Sequence, residues 1–505
     1  MNRRSFVESG VVAGIAPGLH AVPARRPNIL FLMTDQMQGR ALDPRHPCIA
    51  PNLRRLAEKG VRFARAYTPN PVCSPARASL MTGLLPHSHG VTQVTHCTFP
   101  DECVLRTDKP HWAQRFLDAG YHTAYFGKWH IERTDRLRPF GWRTACVQGT
   151  KEYAEVEKPI LARRAPEKPL LQGVIPGLPG YSDFRMYAAG EPRPHDTLPT
   201  VTSLAKDFLR TALKSGEPWV CFASVLEPHD PYLTSRAAFS KYKVDDLPEP
   251  PNWSDRLEGR PAMYRKAARA FAGMTPRHKR EAAACYYGMI TEIDEAYGEL
   301  VRMIEQAGQF DNTIIVFTAD HGDCMGAHGL YMKNVSGFEE PFNIPLVVTG
   351  PGIARGSVSQ ARVGSLDIGP TLLELAGLPP IKVPDSQSFA AALHDPAAQS
   401  AKFQVGYAES YGSRYVYTQR VAWDGPWKLV WNCFDFDELY NLEEDPYEMR
   451  NLAQDPAFEP QLRNMMEVAW RKVRDTGDEP LMQSQYPVIR LAPFGPNILK
   501  DPAPV

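Results

Sequence analysis

The chain has 505 residues, and its 57 Lys and Arg balance its 57 Asp and Glu, so the formal charge at neutral pH is zero. That balance supplies no field to draw the chain to nucleic acid or to an anionic membrane. The length is too great for one simple core, so two domains are expected.

Residues 1–24 combine Arg3-Arg4, a mild apolar run over residues 11–16, and Ala21-Val22-Pro23-Ala24. The pattern resembles a twin-arginine export signal, so a periplasmic or secreted bacterial protein is expected. The run is too short to span a bilayer and no later segment is apolar enough, so no membrane span is expected. Residues 28–34 (NILFLMT) are continuously apolar, as in a strand covered on both faces. Residues 52–59 read as a helix stopped by Gly60, and residues 61–67 as a strand. A short helix follows over residues 76–82, with Ser74 as N-cap, Pro75 at the first helical position and Gly83 ending it. Residues 112–119 read as helix, 121–126 as strand, 200–213 as amphipathic helix and 219–225 as strand. Residues 277–306 read as one long helix or two, 313–318 and 344–349 as strands, and 367–376 as helix. This alternation predicts an α/β fold with a mixed, largely parallel sheet and helices on both faces.

Residues 150–199 and 234–276 are rich in Pro, Gly and charge, and long functional loops are expected there. Beyond about residue 395 the rhythm changes. Short neighbouring strands over 404–409, 415–422 and 427–432, then a helix over 458–473, predict a smaller α+β domain with an antiparallel sheet. The expected division is a catalytic domain over residues 25–395 and a C-terminal subdomain and tail over 396–505. None of the nine cysteines form Cys-x-x-Cys sets, which argues against a structural zinc site. Cys97 and Cys103 are the one close pair that could form a bridge.

Chemistry concentrates at the expected helix start and the strand tips. Cys73 would lie where backbone N–H groups converge and the helix dipole is positive. Arg77, one turn on, can point back at the same spot. That arrangement favours an oxyanion at residue 73 and an anionic substrate beside it. Asp35-Gln36 follows the strand over 28–34, and Asp320-His321-Gly322 follows the strand over 313–318. Sites in open α/β sheets form at such carboxyl ends. Donors from the two tips can converge on one divalent cation. Carboxylate and amide oxygens favour calcium or magnesium, and His321 leaves manganese open. His87 and His89 read as loop or substrate-pocket residues rather than metal ligands.

Cys73-Ser74-Pro75-Ala76-Arg77 resembles the Cys-x-Pro-x-Arg signature of the sulfatase family. Further segments resemble that family in a consistent order: the two strand-tip pairs, Gly127-Lys128-Trp129-His130, Glu227-Pro228-His229-Asp230-Pro231, and Lys333 in His328-Gly329-Leu330-Tyr331-Met332-Lys333. Residues 438–446 resemble its C-terminal domain. The resemblance implies an alkaline-phosphatase-like fold and hydrolysis of a sulfate ester, expected on a carbohydrate, to an alcohol and sulfate. It implies formylglycine derived from Cys73 by a formylglycine-generating enzyme, whose hydrate attacks sulfur. It implies a divalent cation, calcium before magnesium or manganese, held by Asp35, Gln36, residue 73, Asp320 and His321. Lys128, His229 and Lys333 would bind the sulfate, Arg77 would support the oxyanion, and His130 would act as base. His229 or Lys333 would protonate the leaving oxygen. Many sulfatases carry Asp-Asp and Asp-Asn at the strand-tip pairs; here they are Asp-Gln and Asp-His, which keeps a phosphonate or phosphate ester hydrolase of the same superfamily as the alternative. A non-catalytic glycan-binding relative fits poorly with the intact set of nucleophile, Arg, Lys and His.

Overall fold

The apolar run Asn28–Thr34 becomes strand β1, with every residue buried, at the centre of an eight-stranded sheet. The structure is a computed structural model that describes residues 26–97, 108–134, 136–163, 168–178, 183–190, 196–333, 335, 337–412, 416–482 and 492–500. The strands after β1 are β2 (Val61–Tyr67), β3 (His122–Gly127), β4 (Thr144–Val147), β5 (Leu171–Pro176), β6 (Asp183–Ala189), β7 (Trp219–Ser224) and β8 (Tyr232–Thr234). They continue with β9 (Thr313–Ala319), β10 (Leu346–Thr349), β11 (Ser357–Gly364), β12 (Val405–Gly412), β13 (Val416–Asp424), β14 (Trp427–Asn432) and β15 (Glu438–Asn441).

The main sheet runs β11-β2-β10-β9-β1-β7-β3-β4. Only β10 is antiparallel to its neighbours, β2 and β9, so the sheet is mixed and largely parallel. Both faces of β1 are covered. Phe31 pairs in register with Phe222, their rings 4.3 Å apart, and stacks toward Trp112 of the helix Trp112–Asp118. Leu32 faces the other way, in register with Phe317, whose ring meets Tyr297 of the helix Pro276–Gln306. Residues 277–306 therefore form one helix, not two. A Trp or Phe at such a position is worth about 3–5 kcal/mol against truncation to Ala.

The strands β12 to β15 form an antiparallel sheet in chain order. Alternation divides its side chains. Leu429, Trp431 and Leu439 pack under the helix Glu459–Thr476, with Trp431 and Trp470 rings 4.9 Å apart. Val421, Trp423 and Val430 pack against Tyr67, Phe338 and Phe342 beside the main sheet. Lys428, fully buried at this junction, is paired with Glu448 at 2.6 Å and Glu339 at 2.9 Å.

Several expectations need correction. The two long polar stretches are not structureless: the first holds the helix Lys151–Leu161 and strands β5 and β6, which join β8 in a small sheet. The second holds the short helices Arg236–Phe239 and Ala262–Ala268. Ser74 is not the N-cap. Cys73 opens the helix Cys73–Thr82 after Val72, and Ser74 Oγ instead accepts the backbone N–H of Thr95 at 3.1 Å. The export-type segment, residues 1–24, and Cys103 lie outside the described residues, as does the side chain of Cys97. Among the described residues no helix is long and apolar enough to cross a membrane.

Candidate active site

The tips of β1, β3, β7 and β9, all parallel, end on the same edge of the sheet, and the Cys73 helix starts against that edge. Close approach is built into the backbone there. Gly127 has φ +102°, and a Cβ on it would lie 2.0 Å from the carbonyl oxygen of Ser224, so only glycine lets Lys128 leave β3 at this point.

Cys73 Sγ lies 3.2 Å from His321 Nε2, 3.2 Å from Lys333 Nζ and 3.7 Å from Asp35 Oδ1. One ligand atom from each of Asp35, Cys73, Asp320 and His321 falls within 4.8 Å of all the others, and all four residues are buried. Arg77 does not reach the sulfur directly. Its Nε donates to Asp320 Oδ2 at 2.8 Å, its Nη2 to Asp35 Oδ2 at 3.0 Å, and its Nη1 to Lys128 O and Ser224 Oγ. It braces both carboxylates from behind. Lys128 Nζ also donates to Asp35 Oδ2.

Gln36 has φ +66° and turns its amide across the pocket. Its Nε2 donates to Asp230 Oδ1 at 2.9 Å and Asp323 Oδ2 at 2.6 Å, while its Oε1 accepts from Lys333 Nζ at 2.6 Å. Lys333 Nζ lies 2.6 Å from His229 Nε2 as well, and His229 Nδ1 meets the carbonyl of Asp230. His130 also interacts with Cys73, and its Nε2 lies 3.1 Å from His96 Nδ1.

The electrostatics follow from this crowding. Burial pushes the Cys73 thiol up, but Lys128, Lys333 and His321 outweigh it and hold the thiol well below its usual range. The pocket is thus made to carry negative charge at residue 73. Burial and Cys73 push Asp35 up, yet Lys128, His229 and Arg77 keep it below the ordinary carboxylate range. Burial and the charge of Asp35 raise Asp320, as expected of two acids sharing one site. Burial, with Lys128, lowers His130 to about 4, so its ring is neutral at physiological pH.

The donor set could hold a metal ion. Two carboxylates and an imidazole converge, and Arg77 leaves one oxygen of each acid, Asp35 Oδ1 and Asp320 Oδ1, on the inner side. His321 Nδ1 meets the carbonyl of Gly322 at 2.9 Å, which fixes the ring so that Nε2 faces Cys73 Sγ and the two carboxylates. Gln36 is fully buried beside them, its Oε1 held by Lys333 Nζ.

All ten residues singled out above as catalytic, substrate-binding or metal-binding stand in or against this pocket; His87 and His89 do not. They lie on the short helix Pro86–His89 that follows the Cys73 helix, and their rings turn to other partners. His87 Nδ1 meets Glu409 Oε1 at 2.5 Å, and His89 Nε2 meets Ser79 Oγ at 3.0 Å. Sequence reasoning missed Asp230, Asp323 and His96. Asp230 and Asp323 were readable, since each sits within two residues of a chosen histidine. His96 carries no local signal.

A family profile described as Sulfatase matches residues 27–378, and one described as N-sulphoglucosamine sulphohydrolase, C-terminal, matches residues 326–475. The choline-sulfatase of Rhizobium meliloti is 29% identical over 450 residues, covering 85% of this chain and 83% of its own. The N-acetylglucosamine-6-O-sulfatase of Bacteroides thetaiotaomicron is 26% identical over 502 residues, covering 88% and 86%. The solved phosphonate monoester hydrolase of Silicibacter pomeroyi shares the fold, with a TM-score of 0.72 at 23% identity over 90% of this chain and 96% of that one. With the first profile spanning well over half of the sequence, and the pocket assembled from its motifs, the chain belongs to the sulfatase family.

Proposed function

We propose that this sulfatase hydrolyses a sulfate ester carried on a carbohydrate, releasing an alcohol and inorganic sulfate. The observation that carries the reading is the convergence on residue 73 of His321, Lys333 and Asp35, with Arg77 and Lys128 behind them. A sulfate monoester is an anion, and the positive charges of Lys333, Lys128 and Arg77 offset the repulsion that protects it from a nucleophile. Similarity to a relative named for a sulfated N-acetylglucosamine supports the carbohydrate part.

In this reading Asp35, Gln36, Asp320, His321 and residue 73 hold calcium, with magnesium or manganese as substitutes, and Cys73 is converted to formylglycine by a maturation enzyme. When bound, the cation neutralises charge and lowers the pKa of an attached oxygen, and the converted residue supplies a hydroxyl nucleophile. The chain's own residues do the rest. Arg77 holds both carboxylates in place. Lys128 and Lys333 grip sulfate oxygens. His229 or Lys333, in contact at 2.6 Å, delivers a proton to the departing alcohol. His130, neutral, takes a proton from residue 73 so that sulfate is expelled. Residues 1–24 act as an export signal, residues 25–395 as the catalytic domain, and residues 396–505 as a C-terminal subdomain that starts just before β12.

Parallel assays of the matured protein on sulfated mono- and oligosaccharides, choline sulfate, aryl sulfates and phosphonate esters, each with calcium or manganese, test this. Highest kcat/KM on a sulfated saccharide supports the proposal. Preference for phosphonate esters would transfer the site to the alternative hydrolase, and preference for choline sulfate would remove the carbohydrate.

A further inference from the structure

Outside the motifs, His96 touches the machinery from a segment that carries none of the motif residues. His96 lies on the turn Thr95–Cys97, and its Nδ1 stands 3.1 Å from Nε2 of His130. The ring centroids are 5.3 Å apart and the planes differ by only 22°. The rings therefore meet edge to edge in nearly one plane, as an N–H···N hydrogen bond requires.

The turn is anchored on both sides of the site. Thr95 N donates to Ser74 Oγ at 3.1 Å, directly beside residue 73. Thr95 O accepts from Arg133 at 2.9 Å and 3.2 Å, three residues beyond His130. A hydroxyl that would ordinarily cap its own helix is instead spent on fixing the backbone before His96. His130 itself has φ +53° and an exit from β3 that packing must hold. Among the described residues its buried Nδ1 has no hydrogen-bond partner of ordinary geometry, and the ring also interacts with residue 73.

We infer that His96 is a positioning residue: it accepts the Nε2–H of His130 and so aims the bare Nδ1 of that ring at residue 73. This direction gives both rings the Nε2–H form that histidine side chains prefer; the reverse direction would force both into the other form. The exposed His96 then keeps its own Nε2–H toward water. The arrangement has the logic of a base oriented by a third group. The inference rests on the reading of His130 as the base.

Two measurements test it. In C73A protein, where no thiol competes for the His130 ring, nitrogen-15 NMR should show a scalar coupling between His130 Nε2 and His96 Nδ1, with the proton attached to His130. It should vanish in C73A/H96A. In matured enzyme, H96A should lower kcat about 10–100-fold, the usual loss for an outer partner, with KM little changed. H96N, whose Oδ1 stands where Nδ1 stood, should recover most of that kcat. Absence of the coupling, a proton on His96 Nδ1, or an unchanged kcat in H96A would overturn the inference. The coupling together with a wild-type enzyme inactive on every sulfate ester would uphold the pairing and overturn the hydrolase reading instead.

Discussion

Lys333 Nζ lies 3.2 Å from Cys73 Sγ while also holding Gln36 and His229, each at 2.6 Å. One ammonium thus ties the nucleophile position, the amide at the tip of β1 and the histidine after β7. Lys333 and His321 flank the sulfur, Arg77 braces both acids, and Lys128 holds Asp35.

Lys333→Met should lower kcat/KM by about 10²–10³, the scale for losing one preorganised charge contact. Steady-state kinetics should place part of the loss in KM. Lys333→Arg should not restore activity, because a planar guanidinium cannot replace a compact ammonium with contacts in three directions. Activity in the Arg variant close to wild type would show that charge alone suffices.

Arg77→Met leaves Asp35 and Asp320 buried without their shared partner. Removing one side of a buried ion network costs about 3–5 kcal/mol, so the variant should unfold at clearly lower urea concentration. A transition at the wild-type midpoint would mean that the two acids are balanced without Arg77, by Lys128 at Asp35 and His321 at Asp320.

The legible part of this chain was what local pattern encodes. The runs over residues 28–34 and 313–318 are largely apolar because both faces of β1 and β9 are covered, and Asp35 and Asp320 stood out as the first acids after them. What stayed hidden depends on distant partners. Strand β11 alternates weakly and is a strand because it pairs with β2, nearly three hundred residues earlier in the chain. The antiparallel direction of β10 is set by its connections, not by its composition. Ser74 looked like a cap because its neighbours favour one, but Thr95 claims its hydroxyl. His96 offered no spacing to read, since its partner is thirty-four residues away.

Away from the pocket, burial pulls the His87 imidazole down, but its hydrogen bond to Glu409 and that carboxylate's charge push it up to about 9. A folded-state value above the unfolded one means the stabilisation is complete below the ordinary 6.5 and is lost as pH rises through about 9. Urea unfolding of wild type and H87N should therefore differ most near about pH 6 and converge toward about pH 10. A difference that does not change with pH would show that His87 is not charged in the folded protein.

Removal of bound divalent cation with a chelator should abolish turnover and lower the melting temperature, because Asp35 and Asp320 then repel across the pocket. Adding back calcium should restore both. D320N should bind the cation weakly by calorimetry and gain little melting temperature from calcium. Full activity in protein shown by elemental analysis to be free of metal would contradict the assigned ligand set.

The most direct measurement is the mass of the peptide bearing residue 73, taken from active protein made in its native host. The account predicts that the side chain –CH2SH is replaced by –CHO, with the aldehyde trapped by a hydrazine probe, and that the C73A protein has no turnover. An intact thiol at position 73 in fully active protein would contradict it.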